Sequence, residues 1–245
     1  MEKRIEQNNP RWSIWEALLV FGLVLCIKGI VPFQQMSWFN QVSELISPHN
    51  VLLGRVFWSS IFTAALFFLL IGLIIKLKYR LSWSEVGLRT GRGKGWLTMG
   101  IGQGVLLFLL VTIVGAVISS FFPYKVEEQP IAEVFNTARS GWERILSFLI
   151  AAVAAPLSEE LYFRGFLYPA VGKLTGKIPA VFLTSLFFSF LHFDLLRFIP
   201  ITIGGIWLNM LYFKTESLYT PIIAHSVWNA LMILMLFLAQ SLELL

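Results

Sequence analysis

Residues 56–75, VFWSSIFTAALFFLLIGLII, contain no Lys, Arg, Asp or Glu. A helix of roughly 20 apolar residues crosses a hydrocarbon core about 30 Å thick, so this run calls for a bilayer rather than an aqueous core. Five more segments, 95–124, 145–158, 178–191, 198–213 and 217–242, lack the same residue types. A weaker first span lies at 12–33, with Glu16 and Lys28 inside it. Composition agrees, since 57% of the 245 residues are hydrophobic and only 13% are charged. An ordinary soluble domain carries about twice that charge. Backbone polar groups in hydrocarbon must pair internally, and no strand-like alternation is visible. The expected fold is all-α, a polytopic membrane bundle of seven transmembrane helices, or eight if one long segment is broken.

The loop charges define sides. Lys76, Lys78, Arg80, Arg89, Arg92 and Lys94 crowd residues 76–94 against Glu85 alone, and Lys3, Arg4 and Arg11 mark the N-terminus. Residues 34–50 carry no Lys or Arg, while 125–143 hold Glu127, Glu128, Glu133 and Glu143 against Lys125 and Arg139. The positive-inside rule then puts the N-terminus and 76–94 in the cytoplasm and 34–50 and 125–143 outside, with Lys173, Lys177 and Lys214 inside again. This describes a multi-pass protein of a cell membrane with a cytoplasmic N-terminus, and the compact chain points to a prokaryote. The net charge of +5 resides in these loops and is not a nucleic-acid signature. Trp12, Trp15, Trp83, Trp96 and Trp142 fall near span ends, where indole rings anchor at the interface. Gly100, Gly102, Gly104 and Gly115 read as close helix packing. Cys26 stands alone, so no disulfide or cysteine metal site is expected. With no repeat or low-complexity tract, 1–245 reads as one membrane domain, and 123–143 has room for a short interfacial helix. No pattern fixes an oligomeric state.

From Trp142 onward the polar residues move into the spans. The stretch SEELYFRGF, 158–166, sets two glutamates and an arginine in apolar sequence, and His192, His225 and Asn229 follow in later spans. A charge at the bilayer centre costs at least about 2.5–3.5 kcal/mol on insertion scales, so such groups are paired or face a wet cavity. Glu160 and Arg164, Phe188 and His192, and His225 and Asn229 are each four residues apart, on one helical stripe. At 1.5 Å per residue, Glu159 lies about 21 Å from Lys173, His192 about 22 Å from Lys177, and His225 about 16 Å from Lys214. Three converging stripes would make one polar pocket. Pro156, just before Glu159, removes a backbone donor and is expected to bend the helix and open room.

A carboxylate beside an imidazole can hold and deprotonate a water, and a second imidazole and a carboxamide can donate to an oxyanion. That set suits peptide-bond hydrolysis. Glu159, His192 and His225 are equally a donor set for Zn2+. Plainer readings stand beside these. Glu160 and Arg164 make a self-neutralising pair, Asp194 and Arg197 a local interfacial one. Asn209 hydrogen-bonds a neighbour, and Phe188 packs beside His192. A non-catalytic immunity or regulatory protein that keeps the pocket, or a proton relay, remains an alternative function.

In this order on successive spans, EELYFR, FSFLH and HSVWN resemble the Glu-Glu-x-x-x-Arg, Phe-x-x-x-His and His-x-x-x-Asn motifs of the CPBP family, the CAAX prenyl endopeptidases and their bacterial relatives, also called Abi proteins. The resemblance covers about 142–232, the expected catalytic half. It implies an intramembrane endopeptidase acting on membrane-associated peptides or proteins. By the resemblance Glu159 is the base, His192 helps activate water, His225 and Asn229 stabilise the oxyanion, and Glu160 and Arg164 orient Glu159 or hold the helices. The family often carries a metalloprotease label, whereas its archaeal fold supports a glutamate mechanism without metal. The expectation is no cofactor, with Zn2+ on Glu159, His192 and His225 as the alternative.

Overall fold

The computed structural model describes residues 10–90, 95–121 and 130–242. The extreme N-terminus, Arg92 and Lys94, and Lys125, Glu127 and Glu128, on which the charge argument partly rests, lie outside the described residues. Regular structure among the described residues is helical throughout. The helices are α1 (Ile14–Ile30), α2 (Ser37–Ile46), α3 (Val51–Lys78), α4 (Trp96–Phe121), α5 (Pro130–Asn136), α6 (Gly141–Thr175), α7 (Lys177–Phe190), α8 (Leu195–Thr215) and α9 (Tyr219–Ser241). Five of them, α3, α4, α6, α8 and α9, are long and apolar enough to cross a membrane. The chain is a multi-pass membrane protein. α7 has only 14 residues and α1 has 17, so these two fall short of that length. The short helix expected in 123–143 is α5.

The charges in the first span have a local reason. Glu16 closes a capping box with Ser13 at the start of α1, where the helix dipole favours an anion, and Lys28 sits in the last turn. Glu16 also pairs with Lys78 at 2.7 Å and accepts from the Tyr79 hydroxyl.

Contacts between connecting segments sort into two ends. At one, Lys78 meets Glu16, Lys173 donates to the Pro10 carbonyl at 3.2 Å, and Arg89 pairs with Glu216 at 3.3 Å. At the other, Asn50 donates to Thr137, Trp142 to the Ile46 carbonyl, and Gln240 to Asn136. Among the described residues, Lys78, Arg89 and Lys173 thus lie at one end.

Among the spans α6 is the most enclosed, with 56% of its apolar window buried against 17% for α4. Ile113 and Val117 of α4 are exposed instead, as hydrocarbon-facing residues should be. Small residues bring the flanking helices close. A Cβ on Gly104 would stand 2.6 Å from the Ala224 carbonyl oxygen, and one on Gly100 2.8 Å from Ile223, so α4 rides on α9 through this pair. Gly102 meets nothing within 4 Å and Gly115 only the edge of Pro200, so the packing face is narrower than the four glycines suggested. Trp12 also departs from expectation. It is 1% exposed, stacks on Phe166 at 5.0 Å and donates to the Phe166 carbonyl at 2.8 Å. It is a core residue, whereas Trp15 and Trp142 are exposed as interface anchors are.

Candidate active site

The middle of α6 carries the site, and its backbone is irregular there. Two π-helical stretches, Ile150–Ala154 and Leu161–Leu167, flank the turn Ala155–Glu160. Each is followed within two residues by a proline, Pro156 or Pro169. A proline lacks an N–H and crowds the carbonyl four residues back, and widening the turn relieves the clash. The expected bend at Pro156 therefore takes the form of wide turns inside one continuous 35-residue helix. In that register the Ala155 N–H reaches back five residues to the Ile150 carbonyl. The next donor would come from Pro156, toward Ala151, and proline has none. Asn229 of α9 supplies it, its Nδ2 donating to the Ala151 carbonyl at 2.8 Å.

The adjacent glutamates have opposite surroundings. Glu160 is fully buried, and its Oε1 accepts from Arg164 Nη1 at 2.8 Å and from His225 Nδ1 at 2.8 Å. Arg164, also fully buried, spends Nη2 on the Gly205 carbonyl at 3.2 Å and lies 4.7 Å over the Phe188 ring. A buried charge needs partners of this kind, although Glu160 Oε2 and Arg164 Nε have none. Glu159 keeps 31% of its side chain exposed, and its Oε2 stands 3.8 Å from His225 Nε2. His225 is held at its edge by the carboxylate at Nδ1 and on one face by the Trp228 ring stacked at 5.4 Å. Trp228 in turn rests on Gly204, where a Cβ would come within 2.8 Å of the indole.

The hydrogen bonds set the tautomers. An ionised carboxylate only accepts, so His225 Nδ1 carries a proton and Nε2 is the atom turned to Glu159. His192 Nδ1 lies 2.9 Å from the Phe188 carbonyl, which also only accepts. Neutral His192 therefore presents the Nε2 lone pair.

The structure thus brings Glu159, Glu160, Arg164 and His225 into direct contact and ties Asn229 to the same helix. His192, exposed in the turn after α7, touches this group only through Phe188, whose ring is 4.9 Å from His192 and 6.1 Å from His225. Phe188 reads as packing in the sequence, yet it faces two histidines and an arginine. The missed partners are the backbone carbonyls of Ala151 and Gly205 and the Trp228 ring. The Gly204–Gly205 pair was the available signal for two of them. Asp194 and Arg197 are the local pair expected, and Asn209 ties α8 to α7 through the Val181 carbonyl, Thr184 and Ser185. Among the described residues no three His, Cys, Asp or Glu side chains gather as metal ligands. Glu159 and His225 face each other without His192 completing a zinc set. Along the same two helices runs an apolar groove of about 340 Å³, lined by Ala152, Val153 and Leu157 of α6 and Ile222, Ile223 and Val227 of α9.

Comparison with known proteins gives a likeness over the same part of the chain. Residues 141–231 match the family profile described as type II CAAX prenyl endopeptidase Rce1-like. CAAX prenyl protease 2 of Rattus norvegicus is 31% identical over 202 residues, 76% of this chain and 61% of that protein. The Homo sapiens CAAX prenyl protease 2 is 29% identical over 218 residues, 76% of this chain and 63% of that one. The putative membrane peptidase YdiL of Bacillus subtilis (strain 168) is 28% identical over 90 residues, 37% of each chain. The chain thus spans a little over three fifths of the length of the two mammalian relatives. No solved structure gives a significant match. All the motif residues, from Glu159 to Asn229, lie within the segment that matches the CAAX prenyl endopeptidase profile, so the likeness covers the whole candidate site.

Proposed function

We propose that the chain is an intramembrane endopeptidase that hydrolyses peptide bonds of membrane-associated substrates with Glu159 as general base. The observation that carries this is the division between neighbours. Glu160 is consumed by Arg164 and His225, while Glu159 stays partly open beside His225 Nε2. In this reading Glu159 takes a proton from a water that also donates to His192 Nε2. The water oxygen attacks the scissile carbonyl carbon. The resulting oxyanion accepts from His225 Nε2–H and from the second N–H of Asn229. Protonated Glu159 then gives its proton to the leaving nitrogen as the C–N bond breaks, leaving a carboxylic acid and an amine. Glu160 and Arg164 orient His225 and hold α6, α8 and α9 together. The apolar groove between α6 and α9 supports a substrate delivered from the bilayer. No step here runs through a metal.

The same reading takes seven crossings in a cell membrane, with the shorter α1 and α7 spanning beside the five long helices and the N-terminus cytoplasmic. This order puts Lys78, Lys173, Lys177 and Lys214 on one side. The test compares purified wild type with Glu159→Gln on membrane-tethered and prenylated peptides, with and without chelator. Cleavage by wild type alone supports the proposal, and chelator resistance supports glutamate chemistry. Equal cleavage by the variant removes Glu159 from its role. If neither cleaves while both stay folded, a binding role gains.

A further inference from the structure

A cavity of about 360 Å³ opens at the basic end of the bundle, at a distance from the catalytic group. Lys173, on its wall, is about 21 Å along α6 from Glu159. Its size is within the range of about 300–1,000 Å³ usual for small-molecule sites. The charged residues lining it are Arg11, Glu85, Arg89, Lys173, Lys177 and Glu216. Arg89 is paired with Glu216. Among the described residues, no carboxylate is ion-paired with Arg11, Lys173 or Lys177. Lys173 reaches only the Pro10 carbonyl, and Lys177 stands 5.7 Å over the Phe213 ring.

Two further features point to an anion. α7 begins at this wall. Its N-cap, Gly176 at φ 88°, offers no side chain to the first-turn N–H groups, which leaves the positive end of the helix dipole uncapped beside the cavity. Tyr168, 6% exposed, also lines the cavity, and its buried hydroxyl has no hydrogen-bond partner.

We infer that this cavity binds a phosphate group, held by Lys173, Lys177 and Arg11 against the N-terminus of α7. Its place among basic segments at a helix-bundle end suits the head group of an anionic phospholipid, since basic pockets between helices on the cytoplasmic side recognise such lipids. A soluble phosphate would satisfy the same donors.

The full chain would be placed in nanodiscs of neutral phosphatidylcholine, with or without phosphatidylglycerol. Native mass spectrometry would read retained lipid and thermal unfolding would read stabilisation. A separate arm would titrate inorganic phosphate into neutral discs. The variants are Lys173→Gln/Lys177→Gln, single Lys177→Glu on an exposed side chain, and the control Lys76→Gln/Lys214→Gln, whose lysines lie outside the cavity lining. Wild type is expected to retain phosphatidylglycerol over phosphatidylcholine about tenfold, with both cavity variants losing most of that preference and the control keeping it. Equal unfolding temperatures in neutral discs would show that the cavity variants are folded. Phosphatidylglycerol retention without a phosphate response assigns the site to lipid, and saturable stabilisation by inorganic phosphate assigns it to a soluble ligand. The inference fails if neither binds, or if the control variant loses binding as much as the cavity variants do.

Discussion

At the middle of α6, Glu160 and Arg164 are fully buried, and each charge has fixed partners at 2.8–3.2 Å. At its end, Lys173 is exposed and reaches only a backbone carbonyl. One helix thus handles charge in two ways. Inside the bundle an unpaired charge is too costly, so an ion pair there fixes three helices and one imidazole. At the interface water solvates a cation cheaply, so a lysine can wait for a ligand. The comparison predicts that the same kind of substitution has very different consequences at the two places.

The largest effect is expected at Arg164. Arg164→Leu leaves Glu160 buried with His225 alone, and breaking a buried pair in this way costs about 3–5 kcal/mol. Thermal unfolding in detergent should show a large drop or failure to fold. Restoring neutrality with Glu160→Gln in the same chain should recover part of the stability while leaving His225 poorly oriented and cleavage weak. A mild effect of Arg164→Leu alone would mean that water reaches the pair, and the contrast between middle and end would collapse.

Next is Asn229. Asn229→Ala should cost about 1–3 kcal/mol, because it leaves the Ala151 carbonyl without its partner inside the helix bundle. Pro156→Ala in that background supplies the missing backbone N–H and should return part of the stability. Cleavage should stay low, since the second N–H of Asn229 is not replaced. Recovery of stability without activity would separate the two duties of this side chain. Recovery of both would reduce Asn229 to a backbone prop.

Much of this arrangement was legible in the sequence for a physical reason. Charges are so disfavoured in hydrocarbon that Glu159, Glu160, Arg164 and His225 had to find one another, and their helical spacing limits how. Other features were not legible because one residue type permits two outcomes. Pro156 is compatible with a sharp kink or with wide turns, and the choice depends on Asn229, 73 positions away. Trp12 at a span end serves as an interface anchor or a core residue, according to whether Phe166 lies beneath it. Phe188 reads as packing until Arg164 is placed over its face. The cavity at the basic end joins four separate stretches of chain, so no local pattern announces it. The length of α7 shows the opposite limit. Its 14 residues are apolar enough for the bilayer, but sequence does not reveal where the helix gives way to the turn that carries His192.

That turn is the setting for a smaller prediction. Asp194 caps α8, its Oδ1 accepting from the Arg197 N–H at 2.9 Å while Oδ2 meets the Arg197 guanidinium. Just before it, Phe193 sits at a left-handed φ of 50° and is exposed, a conformation that an aromatic residue rarely adopts. The cap therefore helps hold the turn in which His192 is placed. Asp194→Ala should cost about 1 kcal/mol, the usual loss for a helix cap, and should lower kcat more than it raises KM, because His192 would be less well positioned for the attacking water. Asp194→Asn retains the capping oxygen and should behave nearly as wild type. At the basic end, Arg89→Ala removes an ion pair whose members are 44% and 27% exposed. Solvent screening keeps that change within about 1 kcal/mol, with cleavage unaltered. If Arg89→Ala proved as damaging as Arg164→Leu, the basic end would be a structural ion-pair network, not a solvated surface open to ligands.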